Sequence, residues 1–237
     1  ADGTLINSGN ATITLNAGDD ITLGGLLTTN AGLTAVNLTS TDGGIVDGGA
    51  GFVDVVATGG RLVIDAETGV GNAGAIDTTV GSADIDNQTS GSIDINETDA
   101  ITVVKAVQAT TGAVQIVAGG TITLDSAGAP ANVVSTPAAS NITIDANGGG
   151  SSILVNDGLS TNGGAVTITA DDDVIFAAEG DIASANGTVS VTADADSVGA
   201  GSGALTMADG TLINSGNATI TLNAAEDITL GGLLTTN

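Results

Sequence analysis

Carboxylates dominate the side chains of this sequence that could do chemistry. The sequence has no histidine and no cysteine, which excludes imidazole acid–base catalysis, thiol nucleophiles and the usual zinc sites. The aspartates cluster at Asp171-Asp172-Asp173, at Asp194 with Asp196, and at Asp19-Asp20. Because Ca²⁺ takes hard oxygen ligands, Asp171, Asp172 and Asp173 are the favoured place for a calcium ion. The alternative is that these residues are solvated corners that attract cations diffusely.

Clustered carboxylates also serve enzymes that cleave polysaccharides, but such a site needs partners with defined roles. Cationic and aromatic side chains would have to hold the sugar. Only Arg61 and Lys105 are basic, and they lie far apart in the sequence, while Phe52 and Phe176 are the only aromatic residues. We therefore expect a protein that is not an enzyme and requires no cofactor. A carbohydrate-active enzyme is the third of our interpretations.

The charge balance restricts the partners. The chain has 27 acidic and 2 basic residues, a formal charge of −25. Spread along a rod, this gives about one charge per 2 Å, close to the density of duplex DNA. Divalent cations should gather on such a rod, whereas nucleic acid is excluded as a partner. Hydrophobic residues make up 41% of the chain, which disfavours disorder, and no apolar run is long enough for a membrane span.

Short strands are the elements that must position these groups. Apolar and polar residues alternate over three residues, with many β-branched side chains, and a Gly, Asn or Asp corner follows. This pattern predicts strands buried on one face, and no 3.6-residue periodicity is sustained, so we expect essentially no α-helix. The segments are 13–15, 21–23, 62–64, 93–95, 101–103, 114–116, 122–124, 142–144, 166–168, 174–176, 189–191 and 220–222.

The spacing of these strands predicts a coil. Equivalent strands begin at Ile142, Val166 and Val189, 24 and 23 residues apart. We interpret this as coils of about 20 to 24 residues with two or three strands each, and with insertions at 125–140 and 194–210. A core one side chain deep can be filled by aliphatic residues alone, which fits the lack of aromatics. The predicted fold is an all-β parallel β-helix, or β-solenoid.

The beginning of the chain recurs at its end. Residues 1–30 return as 208–237 with two changes, Gly18 to Ala225 and Asp19 to Glu226. Such identity indicates recent tandem duplication. We therefore expect residues 1–207 to be one repeat unit of about ten coils and residues 208–237 to begin the next. An array of this kind usually serves to provide length.

Three runs of the sequence resemble large bacterial exoproteins of the filamentous-haemagglutinin type. They are SGNATITLNAGDDITLGGLLTTN (8–30), TTGAVQIVAGGTITLDSAG (110–128) and GGAVTITADDDVIFAAEGDIASANGTVSVTA (163–193). The resemblance implies a right-handed parallel β-helix, export to the cell surface or medium, and a role in adhesion or surface structure. The secretion domain that defines this family does not lie within these residues.

These observations favour a structural function. We expect an extracellular fibre or stalk segment of a giant, repetitive bacterial surface or secreted protein that attaches or spaces cells or forms filaments. Its expected partners are other copies of the repeat, host or neighbouring cell surfaces, polysaccharide and divalent cations. The second interpretation is a tandem array of Ig-like adhesin domains, in which Lys105 would form an isopeptide bond, but the aromatic content is too low for such cores.

Overall fold

The computed structural model describes residues 4–49, 51–126, 132–197 and 203–236, which form a parallel β-solenoid of about ten turns. These residues contain no α-helix. The strands are β1 Leu5–Asn7, β2 Ile13–Ala17, β3 Ile21–Leu23, β4 Gly25–Leu27, β5 Val36–Ser40, β6 Ile45–Asp47, β7 Val55–Ala66, β8 Ile76–Asn87, β9 Ile93–Glu97, β10 Ile101–Gln108, β11 Val114–Ala118, β12 Ile122–Leu124, β13 Asn132–Thr136, β14 Ile142–Ala146, β15 Ile153–Val155, β16 Gly158–Thr161, β17 Val166–Ala170, β18 Val174–Phe176, β19 Ile182–Ala183, β20 Val189–Thr192, β21 Leu205–Met207, β22 Leu212–Gly216, β23 Ile220–Asn223, β24 Ile228–Thr229 and β25 Gly232–Thr235.

Most coils present three faces, and inward aliphatic residues stack on each face from coil to coil. The coil of β9 and β10 has two strands, which join faces that are separate in other coils. The Ile21 ladder has nine rungs: Ile21, Ile45, Val70, Ile93, Val114, Ile142, Val166, Val189 and Ile220. The Leu15 ladder also has nine: Leu15, Leu38, Ile64, Ile85, Ala106, Val134, Leu159, Ile182 and Ile213. The third face of the later coils carries the Ile101 ladder: Ile101, Ile122, Ile153, Val174, Leu205 and Ile228.

The structure confirms the predicted strands and the parallel stacking. All twelve alternating segments lie within strands. Successive rungs of the Ile21 ladder are 21 to 31 residues apart. The two longest steps, from Val114 to Ile142 and from Val189 to Ile220, contain the predicted insertions at 125–140 and 194–210. The strand pairs of the described residues are parallel, whereas Ig-like sandwiches are antiparallel, so the solenoid replaces that second interpretation. The right-handed winding stays a prediction of the resemblance.

Sequence reasoning missed strands on the Leu15 face in the later coils. β16 and β19 each contribute one inward aliphatic side chain, Leu159 and Ile182. A single apolar residue cannot produce an alternating pattern, so no local signal marked these strands. Their pairing with neighbouring coils creates them.

The core is one layer of aliphatic side chains deep, as expected. Phe176 is the one buried aromatic residue and fills a rung between Val155 and Met207. Phe52, by contrast, is 59% exposed. Because each inward side chain packs between rungs one strand spacing apart, the core runs along the axis instead of enlarging at a centre.

Glycine and asparagine form corners between faces, before β2 and after β16 and β19. Gly9, Gly163 and Asn186 have φ values of 63°, 100° and 84°, the left-handed conformation that the sequence predicted for such corners. Gly187 serves a different purpose, because a Cβ there would lie 1.7 Å from the carbonyl oxygen of Gly164 in the preceding coil. The backbones of the two coils approach so closely at Gly187 that no side chain fits there.

Candidate functional site

The structure brings two of the three predicted aspartate clusters together at one corner. Asp171 directly follows β17, and Asp194 and Asp196 follow β20 one coil further on. Burial raises the pKa of Asp171, and the negative charges of Asp196, Asp145 and Asp194 raise it further. Three successive coils therefore contribute carboxylates that repel one another.

The predicted calcium residues do not converge as a cage. The Oδ1 atom of Asp173 accepts a hydrogen bond of 2.8 Å from the backbone N–H of Ala204, and the hydroxyl of Ser152 donates to Asp172 Oδ2 at 3.5 Å. These contacts turn the carboxylates toward adjacent coils. Within the described ranges, no group of three or more acidic side chains could hold a metal ion. Calcium at Asp171, Asp172 and Asp173 stays a prediction.

The third aspartate cluster lies elsewhere. Asp19 and Asp20 are at the corner before Ile21, the first rung of its ladder, whereas Asp171 follows a strand six rungs later. Asp20 Oδ1 accepts a hydrogen bond of 2.8 Å from the backbone N–H of Gly44. This carboxylate therefore ties two coils together and cannot join the Asp171 corner.

The two basic residues, distant in sequence, come together around one strand. Arg61 of β7 and Lys105 of β10 lie on either side of β8. Arg61 Nη1 is 3.9 Å from Asp84 Oδ2, and Lys105 Nζ is 2.5 Å from Asp86 Oδ2. Each cation thus has a carboxylate partner, about three coils from Asp171. The aspartate corner consequently has no basic neighbour for binding an acidic sugar.

Glu97 is a buried carboxyl group that sequence reasoning missed. It is 1% exposed and lies inside the solenoid at the end of β9. The hydroxyl of Thr78 donates to its Oε2 atom at 2.7 Å, and the backbone N–H of Val80 donates to the same atom at 3.1 Å. Burial raises the pKa of Glu97 to about 7, although these hydrogen bonds act in the opposite direction. The alternation Ile93, Ile95, Glu97 was the signal that could have placed it inside.

Glu97 fills a gap between coils. β9 pairs with β8 up to Thr78, and β10 pairs with β8 only from Ser82 onward. Val80 therefore has no partner strand on that side, and the carboxyl group of Glu97 takes the place of a backbone carbonyl. Glu97 therefore stabilises the stacking of coils here, since its carboxyl group is closed off from solvent and from any ligand there.

Buried polar side chains also line the inner corner beside the Leu15 ladder. Thr161 Oγ1 donates to the carbonyl of Ser140 at 2.8 Å, and Ser184 Oγ donates to the carbonyl of Gly187 at 2.5 Å. Such bonds satisfy backbone groups that turn away from the strand ladder. The residues of this column are Ser40, Asn87, Gln108, Thr136, Thr161, Ser184 and Ser215.

One apolar surface groove has a volume of about 300 Å³ and includes Phe52 and Leu5. Leu5 is 60% exposed and lies over Gly25. No titratable side chain lines it. A catalytic pocket normally combines an apolar wall with convergent polar groups, and this groove lacks the second component.

Comparisons with family models, with curated proteins and with solved structures find no match to this chain. None of the described segments is a helix with the length and apolar character needed to cross a membrane. The geometry of the chain itself must therefore support any proposal about its function.

Proposed function

We propose that this chain is a stiff structural segment of an extracellular bacterial fibre or stalk that attaches or spaces cells. The nine-rung ladder from Ile21 to Ile220 is the observation that carries this proposal. It runs through nearly the whole chain with buried side chains at every rung but the last. A solenoid with an unbroken core has no hinge, because bending would open several rungs at once.

The arrangement of polar groups supports a structural role over a chemical one. The two cations are paired with β8, the buried carboxyl group of Glu97 bonds to the backbone, and Asp20 and Asp173 tie neighbouring coils. Each of these groups stabilises stacking. The remaining surface carboxylates give the rod a negative field that attracts divalent cations, which could bridge neighbouring rods.

Electron microscopy of chains with one, two and three tandem 207-residue units tests the rod. At about 4.8 Å per coil, each added unit should lengthen a straight particle by about 40 Å. Particles that show joints between units, or whose length does not increase with unit number, would contradict the proposal. A matched chain with Val166→Asp and Ile168→Asp, which buries two charges in one strand, should lose the rod shape.

Cell attachment needs its own test. Bacteria displaying the three-unit chain should adhere to polysaccharide-coated surfaces or to neighbouring cells more than bacteria displaying the Val166→Asp, Ile168→Asp chain. Equal adhesion of the two strains would refute the attachment role. Release of reducing sugar ends from polysaccharide by the purified chain would instead support the carbohydrate-active interpretation.

A further inference from the structure

The two copies of the thirty-residue segment lie on different faces of the solenoid. The Ile21 ladder ends, eight rungs later, at Ile220. In the second copy Ile220 is the equivalent of Ile13, and Ile228 is the equivalent of Ile21. Ile228 lies on the Ile101 ladder, which β10 joins to the face of β8, β7, β5 and β2 through the Ala83–Val103 pair. The copy of Ile13 therefore lies on the face of Ile21, and the copy of Ile21 lies on the face where Ile13 began.

The Leu15 ladder also ends on a different strand of the copy. It ends at Ile213, the equivalent of Ile6, although Ile6 itself pairs with Leu26 in β4. Leu26 continues through Val55 and Thr78 to Glu97 in β9, on the face of the Ile21 ladder. Every described strand of the second copy thus lies on another face, although the number of strands by which it has moved is not the same for each.

The corner between the first two strands of the segment keeps its local structure despite this displacement. Ser8 Oγ donates to the carbonyl of Ala11 at 2.6 Å, and its equivalent Ser215 Oγ donates to that of Ala218 at 2.6 Å. The corner glycines Gly9 and Gly216 have φ values of 63° and 60°. The same sequence therefore forms the same corner between differently placed faces.

We infer that each 207-residue unit is a screw element that advances the rod by eight coils and a fraction of a turn. The inference rests on the proposed function, in which such units follow one another. Near-identical surfaces then face different directions in succession, about 40 Å apart along the axis. The outward strand residues that recur are uncharged, with Thr14, Asn16 and Thr22 equivalent to Thr221, Asn223 and Thr229. The exposed corner between them carries Asp19 and Asp20, equivalent to Glu226 and Asp227.

A rod built in this way presents copies of its outward threonine and asparagine residues on more than one side. If each unit contained a whole number of coils, all copies of this surface would face one side only.

Thiol cross-linking of the 237-residue chain tests the displacement, because the chain has no cysteine of its own. The structure pairs Asn223 with Thr192. If the second copy lay on the face of the first, Asn223 would continue the column of Asn16, which runs through Ser160 to Ala183. Paired Cα atoms about 4.8 Å apart are within the range for a disulfide bond.

The chain with Thr192→Cys and Asn223→Cys should lose both free thiols on mild oxidation, and the chain with Ala183→Cys and Asn223→Cys should retain them. Ala183→Cys with Asn214→Cys, a pair that the structure places in register, is the positive control. Cross-linking of Ala183→Cys to Asn223→Cys overturns the inference, as does failure of the first pair when the control reacts. Neither result depends on rod length or cell adhesion, so failure of the screw and failure of the proposed function are distinguishable.

Discussion

The buried carboxyl group of Glu97 should make the stability of the solenoid depend on pH near neutrality. Its pKa of about 7 in the folded chain compares with an ordinary value of 4.5. The folded state therefore retains a proton that the unfolded chain releases between these values. The contribution to stability is fully present below pH 4.5 and is lost as pH rises through 7.

The size of the effect follows from the pKa shift. A shift of one pKa unit corresponds to about 1.4 kcal/mol, so Glu97 should cost the chain about 3 kcal/mol between acidic and mildly alkaline pH. Burial also raises the pKa values of Asp94, Asp145 and Asp171. Ionisation of these three carboxyl groups should therefore also lower the free energy of unfolding as the pH rises. The wild-type free energy of unfolding should fall as the pH increases.

Glu97→Gln isolates the contribution of this one group. The amide oxygen can still accept from Thr78 and Val80, but the side chain no longer titrates. The expected result is a pH profile flatter than that of the wild type by about 3 kcal/mol, with the variant relatively favoured at high pH.

Far-UV circular dichroism during urea unfolding at a series of pH values measures this profile, since the chain has no tryptophan. Glu179→Gln, at an exposed glutamate, is the matched control and should keep the wild-type slope. If Glu97→Gln shows the wild-type slope as well, the reasoning from burial is refuted.

Three further predictions concern packing, corners and charge. Ile144→Ala, at a fully buried rung, should cost about 2–5 kcal/mol of unfolding free energy, measured by urea titration. Ile175→Ala, at a 39% exposed position, should cost far less. Equal costs would contradict a core formed by the inward side chains alone. Gly187→Ala should lower the melting temperature because its Cβ would clash with backbone, while Gly149→Ala has no atom within 4 Å and should be mild; the reverse order would refute the close-approach argument. Added NaCl should raise the melting temperature by screening the −25 charge, and a fall in dilute salt would argue against self-repulsion.

Local pattern was sufficient to predict much of the fold. The alternation at Ile142–Ile144 or Val166–Ile168 determines which side chains face inward, because successive strand residues point to opposite sides. The left-handed corners at Gly9 and Asn186 followed from residue type. These features depend on neighbours in the chain, so no tertiary information was needed.

The candidate groups were less accessible to sequence reasoning. Arg61 and Lys105 looked isolated, yet parallel stacking places them on either side of Asp84 and Asp86. Glu97 looked like an ordinary acidic residue near a strand end, yet it is enclosed. In both cases the decisive neighbours are about one coil away, and a coil is longer than any local motif.

The sequence by itself determined that strands alternate, that corners turn and that a thirty-residue segment is repeated. Only the tertiary structure decided which strands share a rung, and hence that Ile220, the copy of Ile13, continues the ladder of Ile21. The physical reason is that the position of a rung depends on the summed lengths of all the preceding coils. These lengths vary from 21 to 31 residues on that ladder. Whether a segment forms a strand, by contrast, depends on a few adjacent residues.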